Sequence, residues 1–379
     1  MTGRGVAPAI VKTVSMYKGV IAFILMQLLA LVVVAYSPRL VNYLPLRIQL
    51  TGETAPPPVN PKLQFCVEEH IYDQFQTRGG DISSAIGAAR KLDLSSLPSK
   101  VRKSITGSFD KADKTAKLIA DVRAAQVAVE GAKDAYRPLH RQVREIQAVI
   151  RRTDAGIMAT RADIARASGE NAAGLKKQLQ AELARLEDEK KALEATIPAE
   201  WDKEHKKFTG LLTADKKARQ TYRRNVDAAY APIGDAVTII GAADALAAVR
   251  PDIEGLRKSI SELDFDGSGK AVKDVSIKVG TVAGARKIRS AVNKVRKALR
   301  GRSPSKEKAL KALDKALAAH AKEVKWRQAA AEAALPGLIT YEMAIGDTIG
   351  LRSQPRLPAD QAPIVAGCMA HHRDISLSF

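Results

Sequence analysis

The sequence predicts an all-α protein: a single transmembrane helix followed by an elongated helical bundle or coiled-coil-like arm. Three observations predict it. Residues 19–36 are uncharged and almost wholly apolar, apolar residues after Leu118 recur at alternating spacings of four and three, and hardly any run alternates as a half-buried strand does. We divide the chain into an N-terminal flank (1–18), the span (19–36), an interfacial and Pro-rich membrane-proximal segment (37–80), a helical arm (81–335) and a C-terminal tail (336–379).

The span comes first. Its eighteen residues contain one polar side chain, Gln27, and reach about 27 Å as a helix, close to the ~30 Å hydrocarbon core of a bilayer. Tyr17 and Tyr36 bracket it at the positions where amphipathic rings favour headgroups, and Pro38 stops it. A cleaved signal peptide has a shorter apolar core and a small-residue cleavage site, and Pro38 directly after Ser37 disfavours cleavage. We therefore read an uncleaved span. Gln27 is a candidate polar contact to a neighbouring membrane helix.

Pro38, Pro45, Pro56-Pro57-Pro58 and Pro61 then exclude one continuous helix, although Leu40 to Leu50 keep an apolar side. The expectation is an interfacial segment lying on the membrane, an extended proline spacer, and a short amphipathic helix from Leu63 to Phe75 that breaks at Gly79-Gly80.

In the arm, Leu118, Val122, Ala125, Val129, Ala132, Tyr136, Leu139, Val143, Ile146 and Ile150 form a heptad seam, with a kink expected at Pro138. A second seam runs from Leu179 through Leu183, Leu186, Leu193 and Trp201 to Tyr222 and Val226. Lys190 sits at one of its core-phase positions, and Glu187 is spaced to pair with Lys191. Pro198 interrupts this seam, and Pro232 with two glycines predicts a turn over 231–241. Shorter helices follow over 242–263 (broken near Pro251), 279–299 and 305–334, and Leu335-Pro336-Gly337 ends the series. Many core-phase residues are Ala or Thr, so the core is thin. We expect the seams to pack within the chain rather than on a partner.

The chain carries 61 Lys and Arg against 41 Asp and Glu, net +20, and 54 of those basic residues against 37 of the acidic ones follow Gly80. Such a field attracts anionic partners. Aromatics make up only 4%, and no zinc-finger spacing or RNA-recognition signature is present, so no specific nucleic-acid partner is predicted. Arg4, Lys12 and Lys18 precede the span without an acidic residue, whereas Arg39 and Arg47 follow it with Glu53. The positive-inside rule places the N-terminus in the cytoplasm and the arm outside, which in a Gram-negative bacterium is an inner-membrane anchor with the arm in the periplasm.

Candidate chemistry is sparse. Asp264, Asp266, Ser268 and the glycine at 269 imitate the opening of a calcium loop, but the twelfth position is Val275 rather than a bidentate Glu. A helix-to-helix turn is expected there. Cys66 and Cys368 are the only cysteines. In an oxidising compartment they are candidates for a disulfide, yet free thiols also fit, and His70 with His371-His372 completes the ligand types of a Cys2His2 metal site. Sequence alone leaves these open and supports no assigned metal. No phosphate-binding loop, nucleophile-base constellation or carboxylate pair has recognisable context, so no catalytic residue, no cofactor and no enzymatic activity are predicted.

The membrane end carries a resemblance. Arg4-Gly5-Val6-Ala7-Pro8, then Met16 to Phe23, then Gln27-Leu28-Leu29-Ala30-Leu31, and finally Tyr43-Leu44-Pro45 resemble, in order and spacing, the last membrane helix of large permeases (DctM-type subunits) of TRAP transporters. The chain departs at Ala9 and Ala22, where the family usually has proline, and Thr51 to Cys66 resembles an extension found in some members. The match covers about a fifth of the chain. It implies a component of a secondary transporter for small organic anions, with other permease helices or subunits, a periplasmic substrate-binding protein and the lipid bilayer as partners. One span lines no transport path, so the resemblance implies part of a longer permease or a detached C-terminal module whose arm is a scaffold or docking element.

Overall fold

The computed structural model describes residues 13–36, 38–168, 172–300 and 303–371, and among them every regular element is helical. Arg4 to Pro8, Ala9, His372, Gly169 and the Gly301-Arg302 break lie outside the described residues. Two compact units emerge. One draws on residues up to 109 and from 229 onward, the other on 110–228. The sequence-based boundaries at 80 and 335 do not coincide with these units.

The first unit starts with α1 (Thr13–Tyr36) and α2 (Pro38–Thr51), the latter continuing through Pro45. Pro57 to Asn60 turn the chain into α3 (Pro61–Ala89), which Asn60 caps by accepting from the Lys62 amide at 3.0 Å, with Pro61 in the first turn. The expected end of this helix at Gly79-Gly80 is corrected: α3 runs through both glycines. Two interior glycines cost roughly 1 kcal/mol each, but Leu63, Val67 and Ile71 before them and Ile82 and Ile86 after them are all buried on one continuous stripe. Burial on both sides of the weak point outweighs propensity.

Between the units the chain runs along α4 (Ser99–Arg166), returns through α5 (Ala172–Ala195) in the second unit, and re-enters the first along α6 (Trp201–Gly241). The turn expected over 231–241 is a further correction. Pro232 leaves one helix hydrogen bond unmade, yet Ala229, Ile233, Ala236 and Ile240 form a buried i, i+4, i+7, i+11 face that holds the helix together. The break falls at Ala242, before α7 (Ala243–Ala248) and α8 (Arg250–Glu262), where Pro251 starts a helix from the first turn.

The principal core of the first unit lies among α8, α9 (Phe265–Gly280), α10 (Arg286–Arg300) and α11 (Lys306–Ala333). Ile253, Leu256 and Ile260 meet Val272, Val279, Ile288, Val292, Val295, Leu299 and Leu313, each no more than 2% exposed. Ser305 caps α11 through the Lys308 amide. Between α9 and α10 the chain turns at Gly284, φ +68°, a left-handed conformation suited to glycine.

Nor is the C-terminal segment a tail. Pro336, expected to end the helices, instead opens α12 (Leu335–Gly346), because proline is well placed in a first turn. A 3-10 turn (Leu351–Ser353) and α13 (Ala362–His371) follow. Leu338, Tyr341, Ile345, Leu351, Val365 and Ala366 are buried, Tyr341 meets Phe109 edge-on at 5.2 Å, and α13 packs on α2 and α3. The segment closes the first unit's core.

In the second unit the two seams meet each other. Tyr136 of α4 stacks on Phe208 of α6 at 4.2 Å, Val122, Tyr222 and Val226 are fully buried, and Gly156 leaves room for Leu186 of α5. Lys190, at its core-phase position, reaches Asp154 at 2.8 Å. Glu187 pairs with Arg161 at 2.6 Å rather than with Lys191, since a cross-helix partner is within reach. Pro138 lies inside an uninterrupted α4. Around Tyr136 gather His140, Trp201 and His205, and the Tyr136 hydroxyl is hydrogen-bonded to His205 Nδ1 at 2.7 Å.

Candidate functional site

The surface most at odds with water is α1. Ile21, Phe23, Leu25, Met26, Leu28, Leu29 and Leu31 are between 52% and 70% exposed, and Ile24 and Val33, on other sides of the same helix, are also exposed. At 100° per residue these positions cover the whole circumference. A helix apolar all round belongs in a core or in lipid, and nothing among the described residues covers it. Gln27 is exposed on this surface with the apolar side chains around it. Among the described residues no single helix is long and apolar enough to cross a membrane, and the described apolar stretch is Phe23–Val33, about 16 Å of helix. Joined across a 46° bend, α6 to α8 reach the length and apolar composition of a span, but Ile233, Ile240, Leu246 and Ile253 along them are fully buried core.

Beyond α2 lies a clasp. Cys66 on α3 and Cys368 on α13 are joined by a disulfide, Sγ–Sγ 2.01 Å with Cα atoms 5.6 Å apart. The fold brings them together because the stripe Leu63, Val67 and Ile71 faces the same core as Val365 and Ala366, so each cysteine sits at the edge of a buried stripe. Sulfurs bonded to each other are not thiolate ligands, which removes the Cys2His2 arrangement in this state. Among the described residues no group of three or more His, Cys, Asp or Glu is placed to hold a metal.

A polar seam accompanies the clasp, and sequence reasoning missed it. Glu68, fully buried, lies 4.0 Å from Arg352, and Arg78 bonds Asp347 at 2.5 Å. His70 is buried, and desolvation lowers its pKa against the opposing pull of Asp73, Asp360 and Asp347. Gln361 donates to the Asp347 carbonyl at 3.4 Å. The one signal in the sequence was a carboxylate, Glu68, directly beside the apolar stripe of α3, where a charge requires a buried partner.

The calcium-like loop is also accounted for. Asp264 caps α9 by accepting from the Gly267 amide at 2.8 Å, Asp266 pairs with Arg300 and Lys270, and the Ser268 hydroxyl is buried, donating to the Ser259 carbonyl. It is a helix-to-helix turn.

Comparison with family models, with curated proteins and with solved structures gives no match for this chain. Fold and site together define an all-α protein with two helical units, an uncovered apolar helix at one end of its sequence and a disulfide that ties the C-terminal helix to the segment following it.

Proposed function

We propose that the protein is a membrane-anchored helical component of a bacterial cell envelope. In this reading α1 crosses the inner membrane and the helical units work on the periplasmic side as a scaffold or docking element. The observation that carries it is the all-round exposure of apolar side chains from Val20 to Val33. The Cys66–Cys368 disulfide supports the periplasmic side, because cytosolic thiols are kept reduced. The positive flank ahead of the span points the same way.

Membrane fractionation tests this. The full chain is expected to stay in the membrane pellet through alkaline carbonate, and a chain lacking residues 13–36 to leave it. Carbonate release of the full chain would overturn the reading. For the side, a membrane-impermeant maleimide added to intact spheroplasts should label Cys368 only after reduction. Labelling that requires lysis would reverse the orientation.

A second reading is specific about the assembly: α1 as the closing helix of a TRAP-type large permease, importing small organic anions together with a substrate-binding protein. It is favoured by the ordered motif Met16 to Phe23 and Gln27 to Leu31, carried on α1, followed by Tyr43-Leu44-Pro45 on α2. Under it, Gln27 packs against a neighbouring permease helix. A photo-crosslinking residue at position 27 should capture a polytopic membrane protein. Adducts with lipid or with a second copy alone would leave the stand-alone anchor.

A further inference from the structure

The first unit holds a cavity of about 530 Å³, in the size range of small-molecule sites (roughly 300–1,000 Å³). Ile239, Ile240 and the half-buried ring of Trp326 supply apolar wall. Its charges are Lys100, Arg286, Lys287 and Arg327 against Asp235 and Glu323.

Those charges are not all engaged. Glu323 is shared: Lys287 lies at 3.5 Å, Arg327 at 3.8 Å, and the Trp326 indole N–H donates to it at 3.0 Å. Lys100 and Arg286 have no carboxylate within 4.0 Å among the described residues and Asp235 has no cation, so four basic against two acidic side chains leave the lining net positive. Arg327 is the informative group. It is 1% exposed, and its Nη1 donates to the carbonyls of Ala283 at 2.8 Å and Ile239 at 3.2 Å, while its buried Nε–H has no acceptor. An unsatisfied buried donor on a cation is costly and calls for an anionic oxygen. Gly284 leaves room for this guanidinium, since a Cβ there would stand 3.0 Å from Arg327 Nη2 and 2.7 Å from Ile239.

We infer that this cavity binds a small amphipathic carboxylate, its apolar body against Ile239, Ile240 and Trp326 and its charge met by Lys100, Arg286 and Arg327. A neutral acceptor can meet the Arg327 donor but leaves the surplus positive charge uncompensated and makes a weaker bond, a cation is repelled, and a compact inorganic anion makes no use of the apolar wall. The inference does not depend on where α1 resides, so its failure and that of the anchor reading are separate results.

Trp201 and Trp326 are the chain's only tryptophans, so Trp201→Phe leaves Trp326 as the sole tryptophan, excited selectively at the red edge beyond tyrosine absorption. The full chain carrying that substitution, in lipid nanodiscs, is titrated with 3-phenylpropionate, with 3-phenylpropanamide and 3-phenylpropylamine as neutral and cationic counterparts. A saturable change in Trp326 emission is expected with the carboxylate, about tenfold weaker with the amide and absent with the amine. Reversing the two exposed charges, Lys100→Glu with Arg286→Glu, should weaken carboxylate binding at least about tenfold with the thermal midpoint unchanged. The single Arg286→Gln covers the case in which the double variant misfolds. No saturable response up to about 10 mM, an equal response to the amide, or binding indifferent to both variants would overturn the inference.

Discussion

Cys66 and Cys368 lie 302 positions apart in sequence, yet their Cα atoms stand 5.6 Å apart, bridged between α3 and α13. The bridge closes most of the chain into one loop, so its reduction releases a large amount of unfolded-state entropy. Loss of such a bridge costs about 2–5 kcal/mol. The urea midpoint of the first unit is therefore expected to fall on addition of reductant, and Cys66→Ser with Cys368→Ser should start at the lowered midpoint and ignore reductant. A parent protein indifferent to reductant would show that helix packing alone sets the stability.

Acidification is expected to destabilise both units by the same mechanism. Desolvation lowers the pKa of His70, with Asp73, Asp360 and Asp347 opposing. Desolvation also lowers that of His140, reinforced by Arg144 and His205. Each therefore takes up a proton more readily in the unfolded chain than in the folded one. Stability is complete above about pH 6.5, the ordinary histidine value, declines as the pH falls below it, and levels off below the folded-state values. Urea midpoints measured across this window should drop, and His70→Gln with His140→Gln should flatten the drop. An unchanged slope in the double variant would assign the effect to other groups.

Gly79 and Gly80 misled the sequence reading, and they yield a prediction of opposite sign to most substitutions. Both lie inside α3, and a Cβ at either meets nothing within 4 Å. Gly80→Ala should stabilise the first unit by roughly 0.5–1 kcal/mol, since alanine removes backbone freedom from the unfolded chain and fits the helical backbone. A lower thermal midpoint in this variant would reveal a packing role for the bare backbone.

The helices legible in the sequence were those whose signals were local. The helix expected over 305–334 starts after Ser305, Pro198 and Pro251 fall at helix junctions, and the seam through Val122, Tyr136 and Val143 is buried within the chain, whereas α9 reads only as a turn. What misled was punctuation overruled by distant packing. Gly79-Gly80 and Pro232 read as breaks, yet Ile82, Ile86, Ile233 and Ile240 find buried partners that no local window contains. Pro336 read as an end because its role depends on which side the helix lies. At the clasp, the sequence offered Cys66 and Cys368 but not their proximity, and Glu68 without Arg352. The charges around Arg327 converge from four separate segments of chain, a convergence only tertiary structure creates.

The turn at Asp264 separates two uses of the same residues. As a cap, its carboxylate serves the Gly267 amide; as an ion site, it would share a cation with Asp266 and Ser268. The structure commits all three elsewhere. Lys270 and Arg300 hold the Asp266 carboxyl below its usual pKa, and the Ser268 hydroxyl is spent on Ser259. Asparagine caps as well as aspartate but is a poorer calcium ligand, whereas alanine does neither. Asp264→Asn should therefore leave the urea midpoint nearly unchanged and Asp264→Ala should cost about 1 kcal/mol, with millimolar calcium shifting neither. Were calcium to raise the midpoint of the parent, and Asp264→Asn to abolish that rise, the loop would be an ion site and the cap its by-product.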